Sequence, residues 1–293
     1  MNNQDIINKS ANKFLGKQLN NYKNSYDKTL LVPIERSLNR ADYKITNNDF
    51  QGYDIWHNYE CSFMTNNGYP ITLVGKIKIP CNSQYFIESK SMKLYFFSFH
   101  MEKLGQTKED AIKKYKEIVI NDLSEATKSQ VEFEVFEKLS NVSIFKDYQH
   151  IEELVDINSV EFNNFKESPD LLQKNNQTGQ LKVFFSNIRS NCRVTHQPDF
   201  ASFYIYIDGE LPTLDSLLQY VVSFRNEYHF HEEVVEQLYK VLKNKFNLNA
   251  ISVHGLFTRR GGLDICPCRA SSDNLLCYPL INVNILQTRT IYQ

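Results

Sequence analysis

The sequence predicts an α+β fold that is built from two similar units in tandem. Segments in which apolar and polar residues alternate indicate strands, and longer segments with apolar residues at helical spacing indicate amphipathic helices. A five-residue pattern that occurs in both halves of the chain, each time ahead of a predicted helix, indicates the duplication. A single irregular α+β domain is the alternative that these patterns leave open.

Three segments have the composition of strands. In residues 131–135 (VEFEV), apolar side chains alternate with glutamates, as in a strand with one buried face. Residues 71–79 (ITLVGKIKI) and 203–208 (FYIYID) are rich in β-branched and aromatic side chains, which favour strands. The dipeptide Asp208-Gly209 predicts a turn directly after the last of these segments.

Two segments have the apolar spacing of amphipathic helices. The first helix opens at Thr107, and Asp110 three residues later forms a variant of the capping box. Its apolar residues then recur at helical spacing, and they are Ile112, Tyr115, Val119 and Leu123. The second helix carries a similar stripe, which consists of Val234, Val235, Leu238, Tyr239, Leu242 and Phe246.

A short pattern precedes each of these helices. It reads YFFSF at residues 95–99 and YVVSF at residues 220–224, in both cases a tyrosine, two apolar residues, a serine and a phenylalanine. Between the two copies, residues 163–180 are polar and contain a proline and a glycine, which predicts a linker. We therefore predict two domains, at residues 1–162 and 163–293.

The overall composition favours a globular protein that binds a small molecule. The chain has 293 residues, of which 42% are hydrophobic and 23% are charged. This length suffices for one large domain or two of ordinary size. The formal net charge is -1, whereas a protein that holds a large nucleic acid usually has a basic surplus. We therefore expect a small-molecule substrate and no nucleic acid partner.

Signals for secretion or membrane insertion are missing from the sequence. The N-terminal residues MNNQDIINKS lack a basic segment followed by an apolar core. The longest apolar runs, such as LYFFSF, are too short to span a bilayer. We therefore predict a cytoplasmic protein without a membrane partner, in which the six cysteines are reduced thiols.

Residues 190–200 (SNCRVTHQPDF) place Cys192 seven residues ahead of Asp199. A cysteine is more often a small buried apolar residue than a nucleophile, and an aspartate of this kind often caps a turn. Pro198 fixes the backbone just before the aspartate, which is compatible with a carboxylate at a strand edge that faces a cleft. Arg193 adjoins the cysteine, but neighbours on a strand point to opposite faces, so we assign it no role in stabilising a thiolate.

Residues 224–233 (FRNEYHFHEE) concentrate imidazoles and carboxylates just ahead of the second helix. A metal-binding HExxH motif is excluded, because the chain has a valine where the second histidine is required. A glutamate at a helix start is also ordinary electrostatics, since carboxylates favour the positive end of the helix. That interpretation suits Glu233, and it leaves His231 and Glu232 as candidates for function.

Residues 86–100 (FIESKSMKLYFFSFH) combine Glu88 with serines, lysines and apolar residues. Ser89, Lys90 and Ser91 are side chains that can hold phosphate oxygens. The alternative is a solvated edge strand on which the lysines oppose aggregation.

Residues 257–268 (FTRRGGLDICPC) contain Arg259 and Arg260 followed by two glycines. Glycines let a backbone approach a phosphate, and arginine suits bidentate contact with one. No GxGxxG motif occurs in the chain, so a dinucleotide would bind without the Rossmann arrangement.

Three cysteines and a histidine near the C-terminus are candidates for a second kind of metal site, a zinc site. They are Cys266, Cys268, Cys277 and His254. The CxC spacing is not a standard pattern of structural zinc sites. We therefore predict no metal site and interpret the cysteines as incidental thiols.

Four stretches in this order, ESKSMKLY, SNCRVTHQPD, FRNEYHFHE and TRRGGLDI, resemble the NADPH-dependent 7-cyano-7-deazaguanine reductases. That family reduces a nitrile to a primary amine in queuosine biosynthesis, a pathway of tRNA modification. The resemblance covers most of the chain, from about GYDIWHNYE to the C-terminus, and the length resembles the long, two-module branch. It implies tandem tunnelling-fold (T-fold) modules, with antiparallel sheets and helices packed on one face. It also implies a homodimer that uses NADPH.

The resemblance implies roles for individual residues. Cys192 matches the nucleophile, which forms a covalent thioimide with the substrate, and Asp199 matches the general acid. His231 matches a substrate-binding residue that assists proton transfer. The remaining substrate-binding positions are Ile87, Glu88, Ser89 and Glu232. The cofactor positions are Ser89, Lys90, Arg260 and Gly261.

Two departures from the family pattern are visible. Arg193 stands where the family usually has an apolar residue or proline, and DICPC at residues 264–268 stands where it usually has Asp-Ile-Asn-Pro. Two rival functions are a zinc-dependent, pterin-type cyclohydrolase on the same fold and a non-catalytic ligand-binding module. A third rival, an amidine-forming relative, lacks the lysine-containing cofactor motif that is present here.

Overall fold

The computed structural model describes residues 25–291 and residue 293. The N-terminal residues on which the expectation of no secretion signal rests lie outside this range. The strands are β1 (Pro33–Glu35), β2 (Gln51–Thr65), β3 (Pro70–Pro80), β4 (Tyr85–Ile87), β5 (Lys103–Gly105), β6 (Glu132–Phe136), β7 (Gln149–His150), β8 (Lys174–Cys192), β9 (Pro198–Pro212), β10 (Tyr228–His229), β11 (Leu248–Phe257) and β12 (Leu263–Ala270). The α-helices are α1 (Arg36–Arg40), α2 (Ser89–Phe97), α3 (Lys108–Thr127), α4 (Leu214–Ser223), α5 (His231–Lys245) and α6 (Tyr278–Ile281).

One large sheet runs through the described chain. Its strands follow the order β10-β8-β9-β11-β12-β2-β3-β6, with β5 paired to β2 and β7 paired to β8. The long neighbouring strands are antiparallel. The pairing of β12 with β2, from Leu263 opposite Asn58 to Ala270 opposite Gln51, joins the two halves of the chain. The sheet is therefore continuous across the two predicted domains. The domain boundary at residue 162 stays a prediction.

The helices α2 to α5 cover one face of this sheet. In β9, Phe203 and Ile205 point into a core that α4 and α5 close, while α2 and α3 close a second core over β2, β3 and β6. Tyr204 points to the opposite face, where it packs near Phe145 and Leu280. The α+β prediction with helices on one face is confirmed, and among the described residues the short α6 lies on the other face.

The first of the two long helices begins where the sequence predicts, whereas the second, α5, begins at His231, within the segment that is predicted to precede it. Thr107 is the N-cap of α3, because its hydroxyl oxygen accepts the N–H of Asp110 at 3.2 Å. Most of the predicted apolar stripe of α3 and the whole stripe of α5 are buried. Within the described residues, each helix is too short or too polar to cross a bilayer.

The repeated pentapeptide forms the C-terminal end of α2 in one half of the chain and of α4 in the other half. At the end of α2, the hydroxyl of Ser98 donates to the carbonyl oxygen of Tyr95 at 2.6 Å. At the end of α4, Ser223 donates to Tyr220 at the same distance. The helices α3 and α5 then follow. The two halves of the chain thus share a local structure as well as a sequence pattern.

The predicted turn at Asp208-Gly209 is wrong, because β9 continues through both residues to Pro212. Gly209 has a φ of 132° and lies where the pairing of β9 with β11 shifts register. A Cβ atom at this position would lie 2.5 Å from the carbonyl oxygen of Asn247. The glycine therefore permits a bulge inside a strand and does not end the strand.

The predicted linker at residues 163–180 is only partly irregular. Strand β8 begins at Lys174, and the preceding residues contain a short 3-10 helix at Pro169–Leu171. Most side chains of residues 173–180 are exposed. Their polar composition therefore reflects a strand end that projects into solvent.

Candidate active site

A cavity of about 620 Å³ opens where several ends of secondary structure converge. Cys192 ends β8, and Asp199 lies at the start of β9. His231 begins α5, and Ser89 begins α2. Arg260 approaches from the connection between β11 and β12. The structure thus brings residues from all four of the singled-out sequence stretches to one cavity.

A small inner pocket adjoins the cavity and shares Ser89, Cys192, Asp199, His231 and Ile265 with it. Its own lining consists of Trp56, Phe86, Ile87, His229, Phe230 and Glu232. The free volume of the inner pocket is about 10 Å³, which is close to the space that one water molecule needs. A bicyclic base therefore enters the inner pocket only when lining side chains move.

Cys192 lies at a tight connection between β8 and β9. Its N–H donates to the carbonyl oxygen of Gln197 at 2.8 Å, and its carbonyl oxygen accepts the N–H of His196 at 2.9 Å. The N–H of Thr195 lies 3.5 Å from the Cys192 Sγ atom. A backbone donor thus faces the sulfur. Sequence reasoning missed Thr195, because the contact is made by the backbone and not by the side chain.

Asp199 is buried and ion-paired. Its Oδ1 atom lies 3.0 Å from the Nη2 atom of Arg260, and its Oδ2 atom lies 3.5 Å from the Nε2 atom of His231. Arg260 also donates to the carbonyl oxygen of Pro198. The expectation of a strand edge is wrong, because β9 lies between β8 and β11. The carboxylate reaches the cavity because it lies at the beginning of the strand.

The N-terminus of α5 holds two carboxylates with different surroundings. Glu233 completes a cap, because its Oε2 atom accepts the N–H of Phe230 at 2.6 Å, as the electrostatic interpretation predicts. Glu232 is 4% exposed, and its Oε1 atom has no hydrogen-bond partner among the described residues. Burial, and secondarily the charge of Asp54, raises the pKa of Glu232 to about 7. An unpaired carboxylate oxygen at a pocket wall is suited to accept a donor from a ligand.

A buried ion-pair network includes the Asp54 charge that acts on Glu232. Arg36 Nη2 lies 2.5 Å and Arg269 Nη2 lies 2.8 Å from the carboxylate oxygens of Asp54. Arg269 also pairs with Glu236 at 2.7 Å, and Glu236 pairs with Arg40 at 2.7 Å. The network links the two halves of the chain. No sequence pattern could have identified it, because its members are distributed over more than two hundred residues.

Glu88 caps α2 from inside the cavity wall. Its carboxylate accepts the N–H groups of Lys90 at 3.0 Å and of Ser91 at 2.7 Å. Burial raises the pKa of Glu88 although these bonds oppose the rise. The edge-strand alternative for residues 86–100 is wrong, because most of them form helix α2.

The three side chains predicted to hold phosphate oxygens do not all face the cavity. Ser89 and Lys90 line the cavity. Ser91 is buried, and its hydroxyl donates to the carbonyl oxygen of Glu88, so it does not face the cavity. Lys93 lines the cavity one turn after Lys90. Sequence reasoning missed Lys93, although the spacing of the two lysines is that of one helix face.

The glycines after Arg260 shape the cavity wall. Gly261 has a φ of 53°, a conformation that favours glycine. A Cβ atom on Gly261 would lie 2.3 Å from the Lys93 Nζ atom, so the glycine leaves room for that cation. Arg259 instead stacks on Tyr59, with its Cζ atom 4.4 Å from the ring centroid. The cavity therefore presents Lys90, Lys93 and Arg260 together, a set of cations that fits the phosphates of a dinucleotide.

The four residues of the zinc hypothesis are neighbours, since His254 lies opposite Cys268 on the paired strands β11 and β12 and Cys277 packs against the cluster that contains Cys266 and Cys268. Cys266 and Cys268 are fully buried, and the Nε2 atom of His254 accepts the N–H of Cys277 at 3.1 Å. In the part of the chain that the structure describes, the group with ligand atoms within 4.8 Å of one another consists of His57, Asp264 and Cys266. Asp264 accepts a hydrogen bond from His57 at 2.6 Å, and burial lowers the pKa of His57 to about 4.

Comparisons with known proteins give a consistent result. Residues 22–135 match a family model described as nitrile reductase, 7-cyano-7-deazaguanine-reductase N-term, and residues 198–274 match the model of a QueF-like protein. A protein of Rickettsia prowazekii is 36% identical over 262 residues, which are 88% of this chain and 92% of the relative. One of Acinetobacter baumannii is 35% identical over 261 residues, with coverages of 88% and 92%. One of Colwellia psychrerythraea is 34% identical over 259 residues, with coverages of 85% and 88%. Each relative is named NADPH-dependent 7-cyano-7-deazaguanine reductase.

Proposed function

Because this chain belongs to the family of NADPH-dependent 7-cyano-7-deazaguanine reductases, we propose that it reduces the nitrile of 7-cyano-7-deazaguanine to 7-aminomethyl-7-deazaguanine. The observation that carries the proposal is the joint lining of one pocket by Cys192, Asp199, His231 and Glu232. They provide a thiol, an acid, an imidazole and an unpaired carboxylate within one small volume. The product belongs to the queuosine pathway that the sequence resemblance implies.

Cys192 is the nucleophile in this proposal. A nitrile carbon is electrophilic, and a thiolate is a strong nucleophile at modest pH. The Sγ atom forms a bond to the nitrile carbon, one π bond of the nitrile breaks, and the nitrogen takes up a proton. The product is a covalent thioimide. The Thr195 N–H lies beside the sulfur at this point.

Asp199 relays the proton in this step: its carboxylate takes the proton that the Cys192 thiol gives up and, as the general acid, delivers it to the nitrile nitrogen. It lies in the same pocket as the sulfur and is held between Arg260 and His231. Both partners keep its carboxyl group oriented toward the cavity, while His231 assists the proton transfer. Positioning of this kind is how a general acid contributes to rate.

Glu232 recognises the base of the substrate, while Glu88 contacts the substrate from the wall of the adjoining cavity. The guanine-like edge presents adjacent N–H donors, and a carboxylate can accept two of them in parallel. Glu232 has an unsatisfied oxygen for this purpose, while Ile87 and Ser89 line the same inner pocket. Substrate binding thus supplies the partner that Glu232 lacks.

NADPH fits the larger cavity beside these residues. Ser89, Lys90, Arg260 and Gly261 line the cavity and would hold its phosphates, and Lys93 adds a further cation. NADPH supplies a hydride in each of two successive reductions. The protein excludes water from the half-reduced substrate, since a released imine would hydrolyse.

We also propose a homodimer in the cytoplasm, built from a cofactor-binding module at residues 1–162 and a nucleophile-bearing module at residues 163–293. The unpaired state of all six cysteines is compatible with a reducing compartment. Light scattering of the purified protein is expected to give the mass of a dimer. A monomer at micromolar concentration contradicts that part of the proposal.

The proposed activity is tested by following NADPH absorbance with 7-cyano-7-deazaguanine as the sole acceptor. The account predicts oxidation of two equivalents of NADPH for each nitrile and formation of the primary amine. The same mixture without the nitrile is the control for slow background oxidation. Stable absorbance in the presence of the nitrile contradicts the proposal.

A further inference from the structure

Arg193 follows Cys192 directly and yet lines neither the cavity nor the inner pocket. Arg193 is the first residue of the turn that follows β8, and its side chain leaves the cavity wall that Cys192 lines. The arginine is only 8% exposed. A buried guanidinium is costly unless its donors are satisfied, which raises the question of what holds it there.

The guanidinium of Arg193 reaches three separate segments of the chain. Its Nε atom lies 3.3 Å from the carbonyl oxygen of Tyr228 in β10. Its Nη1 atom lies 3.2 Å from Asn39 Oδ1 in α1, and its Nη2 atom lies 3.2 Å from Glu233 Oε1 in α5. The rigid, planar fork of arginine donates to Tyr228 and Asn39 and at the same time ion-pairs with Glu233, an arrangement that a lysine cannot reproduce.

Two of these partners flank the residues that bind substrate. Strand β10 leads directly into α5, whose first residues are His231 and Glu232. Arg193 therefore attaches the segment from Tyr228 to Glu233 to the residue next to the nucleophile. The third partner, Asn39, lies in α1, so it connects Arg193 to the N-terminal half of the chain.

Arg193 favours the ionised form of Glu233. Burial raises the pKa of Glu233, and Arg193 and His229 oppose that rise, while Glu236 adds to it. The other oxygen of Glu233 accepts the N–H of Phe230 and so fixes the first turn of α5. Removal of the guanidinium leaves a buried carboxylate without its main partner, a strongly unfavourable arrangement.

We propose that Arg193 is a positioning residue that fixes Cys192 relative to His231 and Glu232 by bridging Tyr228, Asn39 and Glu233. It acts through these neighbours and does not touch the substrate. The inference rests on the proposed function, because it concerns the rate at which the substrate reaches the sulfur. A misplacement of about 1 Å can cost on the order of a hundredfold in rate.

The test uses Arg193→Met, Arg193→Lys and a control, Arg225→Met, which removes an exposed arginine nearby. The first measurement is the rate of thioimide formation on Cys192 with 7-cyano-7-deazaguanine and no NADPH. The second is the pH dependence of alkylation of Cys192 by iodoacetamide, which reports the thiol without requiring alignment with the substrate. All rates are measured well below the melting temperature of each variant.

Arg193→Met is expected to slow thioimide formation at least tenfold. Its rate of alkylation is expected to stay within about twofold of the wild-type rate. The pH midpoint of that alkylation is expected to stay within a few tenths of a pH unit of the wild-type midpoint. Arg193→Lys is expected to recover part of the lost rate through its charge opposite Glu233, and Arg225→Met is expected to match the wild type. Thioimide formation at the wild-type rate in both Arg193 variants overturns the inference. A shifted alkylation midpoint also overturns it, because the arginine then acts on the thiolate directly. Absence of any adduct in the wild type contradicts instead the proposed function.

Discussion

The Nε2 atom of His231 lies 3.5 Å from the Oδ2 atom of Asp199, so the residue that begins α5 reaches the residue near the start of β9. Cys192 lines the same pocket. An acid, its partner and a thiol are thus assembled from three separate elements of the fold. The predictions below follow from that assembly.

Asp199→Asn is expected to slow thioimide formation by on the order of a hundredfold or more, because an amide cannot protonate the nitrile nitrogen. Stopped-flow measurement of adduct formation without NADPH isolates this step. Asp208→Asn, on the same strand but away from the cavity, is the matched control. A wild-type rate for Asp199→Asn removes the residue from the role of acid.

Glu232→Gln is expected to weaken substrate binding, since an amide offers one acceptor where the carboxylate offers two. The pKa of Glu232 is raised to about 7, so its ionised fraction falls as the pH drops from 8 to 6. Affinity measured by calorimetry on the Cys192→Ala background should fall over the same interval. The pH dependence should be much smaller after the Glu232→Gln change. Equal affinity of the two proteins at pH 8 contradicts this assignment.

The same substitution is expected to leave the fold at least as stable. A carboxyl group whose pKa is higher in the folded than in the unfolded state destabilises the fold at pH values above the folded pKa. Glu232→Gln should therefore melt at an equal or higher temperature than the wild type at pH 8. A lower melting temperature would indicate that lost substrate binding reflects a damaged fold.

Lys90→Met and Arg260→Met are expected to differ in their effects. Both residues line the cavity, so both changes should raise the KM for NADPH. Arg260 also pairs with Asp199, so its loss should slow thioimide formation, which needs no NADPH. Lys90→Met should leave that step unchanged. Equal adduct rates in the two variants would contradict a role for Arg260 in holding the acid.

Trp56 offers a direct signal of substrate entry. It is the one tryptophan of the sequence, it is buried, and it lines the inner pocket together with Glu232. Because the free space there is about 10 Å³, entry of the base must displace side chains around the indole. Titration of Cys192→Ala with 7-cyano-7-deazaguanine should change the fluorescence. An unchanged spectrum at saturation, with binding established by calorimetry, places the base elsewhere.

Local patterns predicted much of the fold, whereas the roles of the site residues came from the resemblance of four stretches to a known family. The apolar stripes of α3 and α5 and the cap at Thr107 depend on residues a few positions apart, so the sequence contains them in full. The proximity of Cys192 and Asp199 likewise follows from one short connection between paired strands. The electrostatic interpretation of Glu233 succeeded for the same reason, because its partner lies three residues away.

Features that depend on distant residues could not be predicted. The pair of Asp54 with Arg269 spans 215 positions, and the contact of Arg193 with Asn39 spans 154. Gly209 was mistaken for a turn residue, because a bulge and a turn both require unusual backbone geometry at a glycine. The helix at Ser89–Phe97 is not predicted, since only an edge strand is considered for residues 86–100 and short apolar runs fit either element.

The attack of Cys192 on the nitrile is tested most directly by intact-protein and peptide mass spectrometry after incubation with 7-cyano-7-deazaguanine in the absence of NADPH. Addition across a nitrile eliminates nothing, so the account predicts a mass increase equal to the whole substrate, located on Cys192. The increase should persist in Cys277→Ala, a half-buried thiol outside the cavity, and disappear in Cys192→Ala. An unmodified wild-type protein that still reduces the nitrile, or an adduct on another cysteine, would contradict the account.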